Sequence, residues 1–438
     1  MQHERLFQHG KAPTLRKWAM AGTACVLGLL LSGASVAALG KADKPTPDKS
    51  RSIVYAALGE ELSRYEVDAS RVTLTKLGTL KLPANLQFAE FHPCRCFLYA
   101  VVSTAGSGTL GAKGDKHLLM GYRIDSGDGA LYPHGEAIPL PERPIHVTVD
   151  RKGEFALVAF NQSGTIKSFR IDRNGYLGEE VAQAVTPDGG IFTHQVVTTP
   201  ANKTVIALAR GNDAVGNRPS EIGSYSLFDF KDGKVDLMRK VTYEAGLGPR
   251  HLAFHPSKSW VYVAIERSSK LFMYDLKDSG EMSVKPVFRK ETLLDMRNEH
   301  RDRQKGGVVQ IHPNGKFAYV TNRADGTVKK NGKSVWAGGE NTLAVFALDE
   351  STGEPTLIQH LQSEGVEART FAVDASGTLL IVANQKAMLV EDAQGNLKEV
   401  DANVALFRIG QDGKLSFLKK YEVKAGDKWL LWMDVLKK

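Results

Sequence analysis

The chain has 438 residues, of which 42% are hydrophobic and 24% charged, a balance that excludes a disordered polypeptide and permits a large core. Length alone allows two or three domains, but all-β barrels and propellers often run long as one unit. The formal charge of +8 is no nucleic-acid footprint without clustering, though it allows mild attraction for anionic ligands.

At the N-terminus, Arg16 and Lys17 precede an apolar stretch over residues 18–31, which ends in the small residues 32–38. This order is that of a secretory signal, with cleavage expected at Ser35-Val36-Ala37 or Val36-Ala37-Ala38. The run is short for a spanning helix, so an uncleaved anchor is the weaker reading. Cys25 lies inside the apolar core rather than after it, which sets aside a lipoprotein. Loss of residues 1–38 removes Arg5, Lys11, Arg16 and Lys17 against Glu4, leaving the mature chain near +5. The expected organisation is a signal peptide over 1–38, a linker over 39–50 and one domain over 51–438. The product is expected in the periplasm or outside the cell, with no membrane association after cleavage.

The mature chain repeats. The clearest unit reads His251-Leu-Ala-Phe-His-Pro256, then Trp260-Val-Tyr-Val-Ala-Ile-Glu266, then Lys270-Leu-Phe-Met-Tyr-Asp-Leu276. Each segment is β-branched, aromatic or alternating, and each break carries Pro, Ser or Lys, as strands and hairpin turns require. The same plan recurs at 88–102, 146–160, 194–210, 308–323 and 370–385. The turn residues Pro93, Asp150, Pro200, Pro256, Pro313 and Asp374 are spaced by 57, 50, 56, 57 and 61 residues. A period near 50 with about four short strands per unit predicts propeller blades. A seventh blade assembles from both ends, residues 429–435 supplying its first strand and 53–58 and 63–67 its second and third. The fold class is therefore an all-β, seven-bladed β-propeller with four-stranded blades, whose ring is closed by strands from both termini. Such closure hides the sheet edges, so a monomer is expected.

Polar insertions at 106–116, 297–307 and 329–339 read as solvated loops; the middle one mixes both signs of charge, which argues against a phosphate clamp. Cys94 and Cys96 are expected to pack, with a reactive disulfide as the alternative. No further ligand stands nearby in the sequence, and no metal or cofactor is expected.

In such a blade the start of the first strand and the end of the second meet at one rim of the central channel. His194, Arg250, Glu266 and Arg323 occupy those places in three successive units. An imidazole, a carboxylate and two guanidiniums suit lactone or ester chemistry. Glu266 or His194 serves as general base if tuned toward neutrality, and Arg250 or Arg323 holds a carboxylate, a phosphate or the oxyanion. The plainer reading has Glu266 paired with Arg250 or Arg267 as a tie between blades. His194 would then be structural, like His146 and His251 at the same blade position.

The segments Gly248-Pro-Arg-His-Leu-Ala-Phe-His-Pro256, Tyr262-Val-Ala-Ile-Glu266, Tyr319-Val-Thr-Asn-Arg323, Ala368-Arg-Thr-Phe-Ala-Val-Asp374 and Ala383-Asn-Gln385 resemble the seven-bladed lactonase family, which includes propeller-type 6-phosphogluconolactonases and a muconate lactonizing enzyme. The likeness spans most of 51–438 and is densest over 244–385. It implies a metal-free active site on His194, Arg250, Glu266 and Arg323. Two places depart from it: Phe192-Thr-His194 stands where members often carry His-x-His, and an acidic insertion runs over 391–401. The resemblance implies a carboxylic ester hydrolase acting on a lactone. Export favours an unphosphorylated sugar lactone over 6-phosphogluconolactone, which forms in the cytoplasm. A lactone-forming cycloisomerase of the muconate type and an exported, non-catalytic binding propeller built on Tyr-Val-Thr-Asn repeats are the alternatives.

Overall fold

The computed structural model describes residues 51–105 and 113–436. The expected signal peptide, its cleavage site, the linker and residues 106–112 of the first insertion lie outside them. Among the described residues, no helix is long and apolar enough to cross a membrane.

Seven antiparallel sheets follow one another along the chain. Blade five shows the plan: strands Pro249–Phe254, Trp260–Ile265, Lys270–Asp275 and Phe288–Glu291 pair in chain order. Their middle members are fully buried Val, Ile, Leu, Phe and Tyr on both faces, because each blade is packed between two others. Blade one joins the ends of the chain. Strand Leu430–Leu436 pairs antiparallel with Arg51–Leu58, Ala56 opposite Met433 and Ile53 opposite Leu436. The innermost strands touch in succession, and Leu430–Leu436 also touches Asn85–Phe91 of blade two, so the circuit closes.

Two recurring polar contacts pin neighbouring blades. Tyr55, Tyr99, Tyr262 and Tyr319, all on second strands, donate to the carbonyls of Gly129, Gly175, Gly353 and Gly413 in an outer turn of the next blade. At the other end of the inner strands, His92, His255 and His312 donate from Nε2 to Gly153, Gly315 and Gly377 of the following blade. Gly315 shows why glycine is required there: its φ is +76°, and a Cβ would lie 2.6 Å from the His255 ring. Asp150 and Asp374 fill the histidine's place elsewhere and cap their own turns, each accepting three backbone amides, and Asp150 also accepts Asn202 Nδ2 of the following blade. Tyr319→Phe keeps the ring but strands the buried Gly413 carbonyl. It should destabilise the fold by about 1–3 kcal/mol, read from the urea midpoint at unchanged m-value.

Three expectations need correction. Residues 329–339 are not a plain loop, and the acidic insertion over 391–401 is built with them. Thr327–Lys330 with Lys333–Trp336, and Met388–Glu391 with Leu397–Val400, form two hairpins that meet in a further sheet through Val335 and Leu389. Each hairpin alone is polar and short, and pairing with the other satisfies an edge. Within 297–307, a single 3-10 turn over Met296–His300 leads directly into strand Gln304–Ile311. Its arginines are held locally, Arg297 by Asp295 and Arg303 by Asp325.

Cys94 and Cys96 do not pack inward. They sit at the tip of a blade-two turn, Cys94 exposed, and are joined by a disulfide. A third potential ligand, His92, does lie beside them, with Nδ1 2.9 Å from the Cys94 sulfur. Both its ring nitrogens serve the fold, however. Nδ1 accepts the Cys94 amide at 3.1 Å, as His255 and His312 accept amides in their turns, while Nε2 holds Gly153.

Candidate active site

Every inner strand slips its register near the start. The skipped residues are Leu431, Gln87, Ile145, His194, Arg250 and Arg369, while in blade six Gly307 and Val308 together face Thr321. A bulge re-aims the side chain it carries. Seven bulges at one level therefore gather at the same end of the inner strands. A second set stands beside them, at the position eleven residues after the inner-strand turn residue: Ser103 after His92, Asn161 after Asp150, Arg210 after Thr199, Glu266 after His255, Arg323 after His312 and Gln385 after Asp374. The polar chemistry is concentrated on blades four to seven.

All four residues singled out in the sequence meet here. Arg323 of blade six forks between two neighbours: its Nη2 lies 2.7 Å from Glu266 Oε1 of blade five, and its Nη1 pairs with Glu367 of blade seven. Its Nε donates to the Gly306 carbonyl at 3.2 Å. Arg250 Nε approaches Glu266 Oε2 to 3.3 Å without hydrogen-bond alignment, and its Nη1 donates to the Gly307 carbonyl. Gly307 has no side chain to block that approach, and a Cβ there would strike Thr321 at 2.0 Å. Arg210 of blade four lies 3.9 Å from the same Glu266 oxygen. Arg267 turns away from Glu266 to Asp213, so of the two ties expected for Glu266 only that with Arg250 forms.

His194 differs from His146 and His251. It occupies the bulge, whereas they occupy the next position, one residue deeper. The three imidazoles still form a column: His194 and His251 have ring centres 5.1 Å apart, His251 and His146 6.1 Å, and Phe88 closes the row 3.9 Å from His146. The Nδ1 atoms of His146 and His194 are buried without partners.

Sequence reasoning missed Glu367, Arg369 and Arg210. The segment Glu367-Ala-Arg369 matches Gly248-Pro-Arg250 position by position, which is the signal that could have found Arg369. Arg369 makes no hydrogen bond or ion pair among the described residues, and it is only half buried. Glu367 holds a left-handed backbone, φ +61°, a conformation that costs a non-glycine residue about 1–3 kcal/mol. Its amide donates to Asn341 Oδ1, and Arg323 holds its carboxylate.

The electrostatics follow from four guanidiniums facing two carboxylates. Burial pushes the Glu266 carboxyl up, but Arg323, Arg210 and Arg250 outweigh it and hold the group ionised, well below the usual carboxylate range. Burial, then repulsion from Arg369 and Arg323, depresses Arg250 strongly; burial and Arg323 lower Arg369 to about 10. The surplus is positive, as a site for a developing or permanent anion requires. Burial, reinforced by Arg250, keeps His194, His251 and His146 neutral, His146 down to about 3. Neither candidate base is therefore tuned toward neutrality.

The neutral histidines carry a stability prediction. A histidine depressed in the folded state binds a proton only in the unfolded chain, so stability falls as pH drops through the unfolded value near 6.5. Each such group contributes about 1.4 kcal/mol per pH unit below that value. The melting temperature should fall between pH 7.5 and 5.5, and His146→Leu should flatten that dependence.

The fold and site define a seven-bladed propeller with an arginine-rich cluster at one end of its inner strands. The model of the family described as "Lactonase, 7-bladed beta-propeller" matches residues 52–424, and the chain belongs to that family. The chain is 28% identical over 383 residues to the 6-phosphogluconolactonase of Pectobacterium atrosepticum, covering 86% of this chain and 97% of that one. With the 6-phosphogluconolactonase of Bacillus subtilis the figures are 25% over 337 residues, 75% and 85%. Among solved structures, the periplasmic gluconolactonase PpgL of Pseudomonas aeruginosa shares the fold at a TM-score of 0.65 and 19% identity, over 87% of this chain and 99% of that one.

Proposed function

We propose that the chain is an exported lactone hydrolase acting on a sugar-type lactone at the charged mouth of the channel. The observation that carries this reading is the pairing of an ionised Glu266, whose Oε2 accepts no hydrogen bond, with the bulge guanidinium of Arg250, while Arg369 occupies the matching bulge of blade seven without an ion-pair partner among the described residues. Relatives named 6-phosphogluconolactonase and a structural neighbour titled a periplasmic gluconolactonase support the reaction class.

In the proposed reaction, a water held by Glu266 Oε2 attacks the lactone carbonyl carbon and passes a proton to the carboxylate. Arg250 and Arg369 face the oxyanion that forms. The bond from the carbonyl carbon to the ring oxygen then breaks, and the ring oxygen takes the proton from Glu266. The product is an open hydroxy acid whose carboxyl group releases its proton to solvent and, as a carboxylate, stays with the arginines until it leaves. As charge gathers on the substrate it draws Arg250 away from Glu266, which raises the basicity of the carboxylate when it is needed. His194, neutral and buried beside Arg250, donates or accepts a hydrogen bond to substrate without carrying charge. Arg323 is a positioning residue that fixes Glu266 from behind.

The test is hydrolysis of glucono-δ-lactone and 6-phosphogluconolactone by residues 39–438, followed with a pH indicator. Turnover above the spontaneous rate, abolished by Arg250→Ala, is expected for at least the unphosphorylated lactone. Turnover of neither would overturn the hydrolase reading and leave a lactone-forming or ligand-binding propeller.

A further inference from the structure

A cleft of about 700 Å³ opens between blades three and four on the same face as the charged mouth. It lies in the upper half of the size range of small-molecule sites, about 300–1,000 Å³, and offers more room than one lactone ring fills. It joins the catalytic cluster through named contacts. Phe192, two residues before His194, lines the cleft, and the guanidinium of Arg210 lies 4.1 Å over its ring. Arg210 in turn faces Glu266.

The floor of the cleft carries an unmet demand for hydrogen bonds. Asn161 is 2% exposed, yet neither its Nδ2 nor its Oδ1 has a partner. It holds the same place on blade three that Arg210, Glu266 and Arg323 hold on the next three blades. Asn212, on the other wall, leaves its Oδ1 unpartnered while its Nδ2 is held by Glu221. A buried amide left without partners costs about 1–3 kcal/mol for each group, which a ligand would recover. One unpaired donor and two unpaired acceptors suit hydroxyl groups, which both give and accept; a phosphate only accepts.

Charge points the same way. Lys240 is 2.8 Å from Asp188, and Arg218 is 4.0 Å from Glu221, so the acidic residues of the cleft offset its cations. Only Lys113, at the rim, lacks a partner among the described residues. Phosphate recognition asks for convergent, uncompensated cations, and those are absent from this cleft among the described residues. The exposed Ile191 and the Phe192 ring add the apolar surface that a pyranose face packs on.

We infer that the cleft is a subsite for a second, uncharged sugar residue, so that the preferred substrates are unphosphorylated lactones of disaccharide aldonic acids. This rests on the lactonase reading above. With the lactone carbonyl at Glu266 and Arg250, the glycosidically linked sugar extends past Arg210 and Phe192 and places its hydroxyls on Asn161 and Asn212.

The test compares kcat/KM of residues 39–438 on cellobionolactone and glucono-δ-lactone. A ratio of at least tenfold in favour of the disaccharide is expected. Asn161→Leu, close in volume and unable to hydrogen-bond, should lower that ratio tenfold or more. Ile191→Trp, which fills the cleft from an exposed position and so does not threaten the core, should lower it as well and carries the test if Asn161→Leu fails to fold. If glucono-δ-lactone is hydrolysed but the wild-type ratio is one or less, the subsite is overturned and the lactonase reading stands. If neither lactone is turned over, the lactonase reading falls, and calorimetric titration with cellobionate decides the cleft. Binding weakened by Ile191→Trp supports it, and no binding overturns it.

Discussion

Glu266→Gln should lower kcat for lactone hydrolysis by about 10²- to 10⁴-fold, the range general-base catalysis contributes, with a much smaller change in KM. The substitution keeps the shape of the side chain and most of its hydrogen bonds, but it removes the carboxylate that faces Arg210, Arg250 and Arg323 together. The kcat–KM split separates two roles. A group that only ties blades together would, on loss, loosen the arginines and move KM and the melting temperature with kcat. A group that takes the proton moves kcat chiefly. Glu266→Asp, which restores the charge on a shorter arm, should recover part of the rate. Because the folded-state carboxyl is held ionised well below the ordinary range, the wild-type rate should show no acid limb between about pH 5 and 7 from this group. A limb in that window would move the base elsewhere.

Arg323→Met should destabilise the protein by about 3–5 kcal/mol in urea unfolding, the cost of breaking a buried ion pair by removing one partner. The large figure follows from geometry. Arg323 is 4% exposed and serves two carboxylates from adjacent blades, Glu266 at 2.7 Å and the strained Glu367. Without it, two buried carboxylates share the remaining guanidiniums, and Glu367 keeps only the longer-range attraction of Arg303, Arg369 and Arg250. Arg323→Lys should restore little, because an ammonium is a point charge and cannot fork between two partners while also donating to the Gly306 carbonyl. Removing Arg323 also removes the largest favourable charge acting on Glu266. Any residual activity should therefore acquire an acid limb that the wild type lacks, read from the pH profile of kcat/KM. A stable variant with an unchanged profile would show that the fork is dispensable.

The acidic and basic insertions place a further constraint on the mouth. The two hairpins rise from the ends of second strands on blades six and seven, directly after Arg323 and Gln385. Trp336 Nε1 donates to the Ala324 carbonyl, and Asp325 is held by Arg303 and Lys386. These contacts anchor the base of the hairpin sheet beside Arg323. On the opposite side the rim is left to the cleft of blades three and four.

Much of this was legible in the sequence. The turn marks Pro93, Asp150, Pro200, Pro256, Pro313 and Asp374 located six inner strands, and the apolar stretch at 429–435 found its partner in 53–58. Period-two patterning and turn chemistry are local properties, so a strand buried on both faces announces itself without its neighbours. His194, Arg250, Glu266 and Arg323 were readable because strand direction alone fixes which ends of a hairpin share a rim.

Tertiary structure decided the rest. Whether Cys94 points in or out depends on a turn tip that local pattern leaves open, and whether residues 329–339 stay a loop depends on their meeting the insertion at 391–401. The bulges matter most. A bulge adds one residue to one strand and shifts every later side chain to the other face, and nothing in an alternating pattern marks where that happens. It set His194 one position apart from His146 and His251, brought Arg369 to the mouth, and let Arg323 reach Glu266 and Glu367 at once. Which residues are rigid repeats is a property of the sequence; which of them share a proton or a charge is a property of the ring they close.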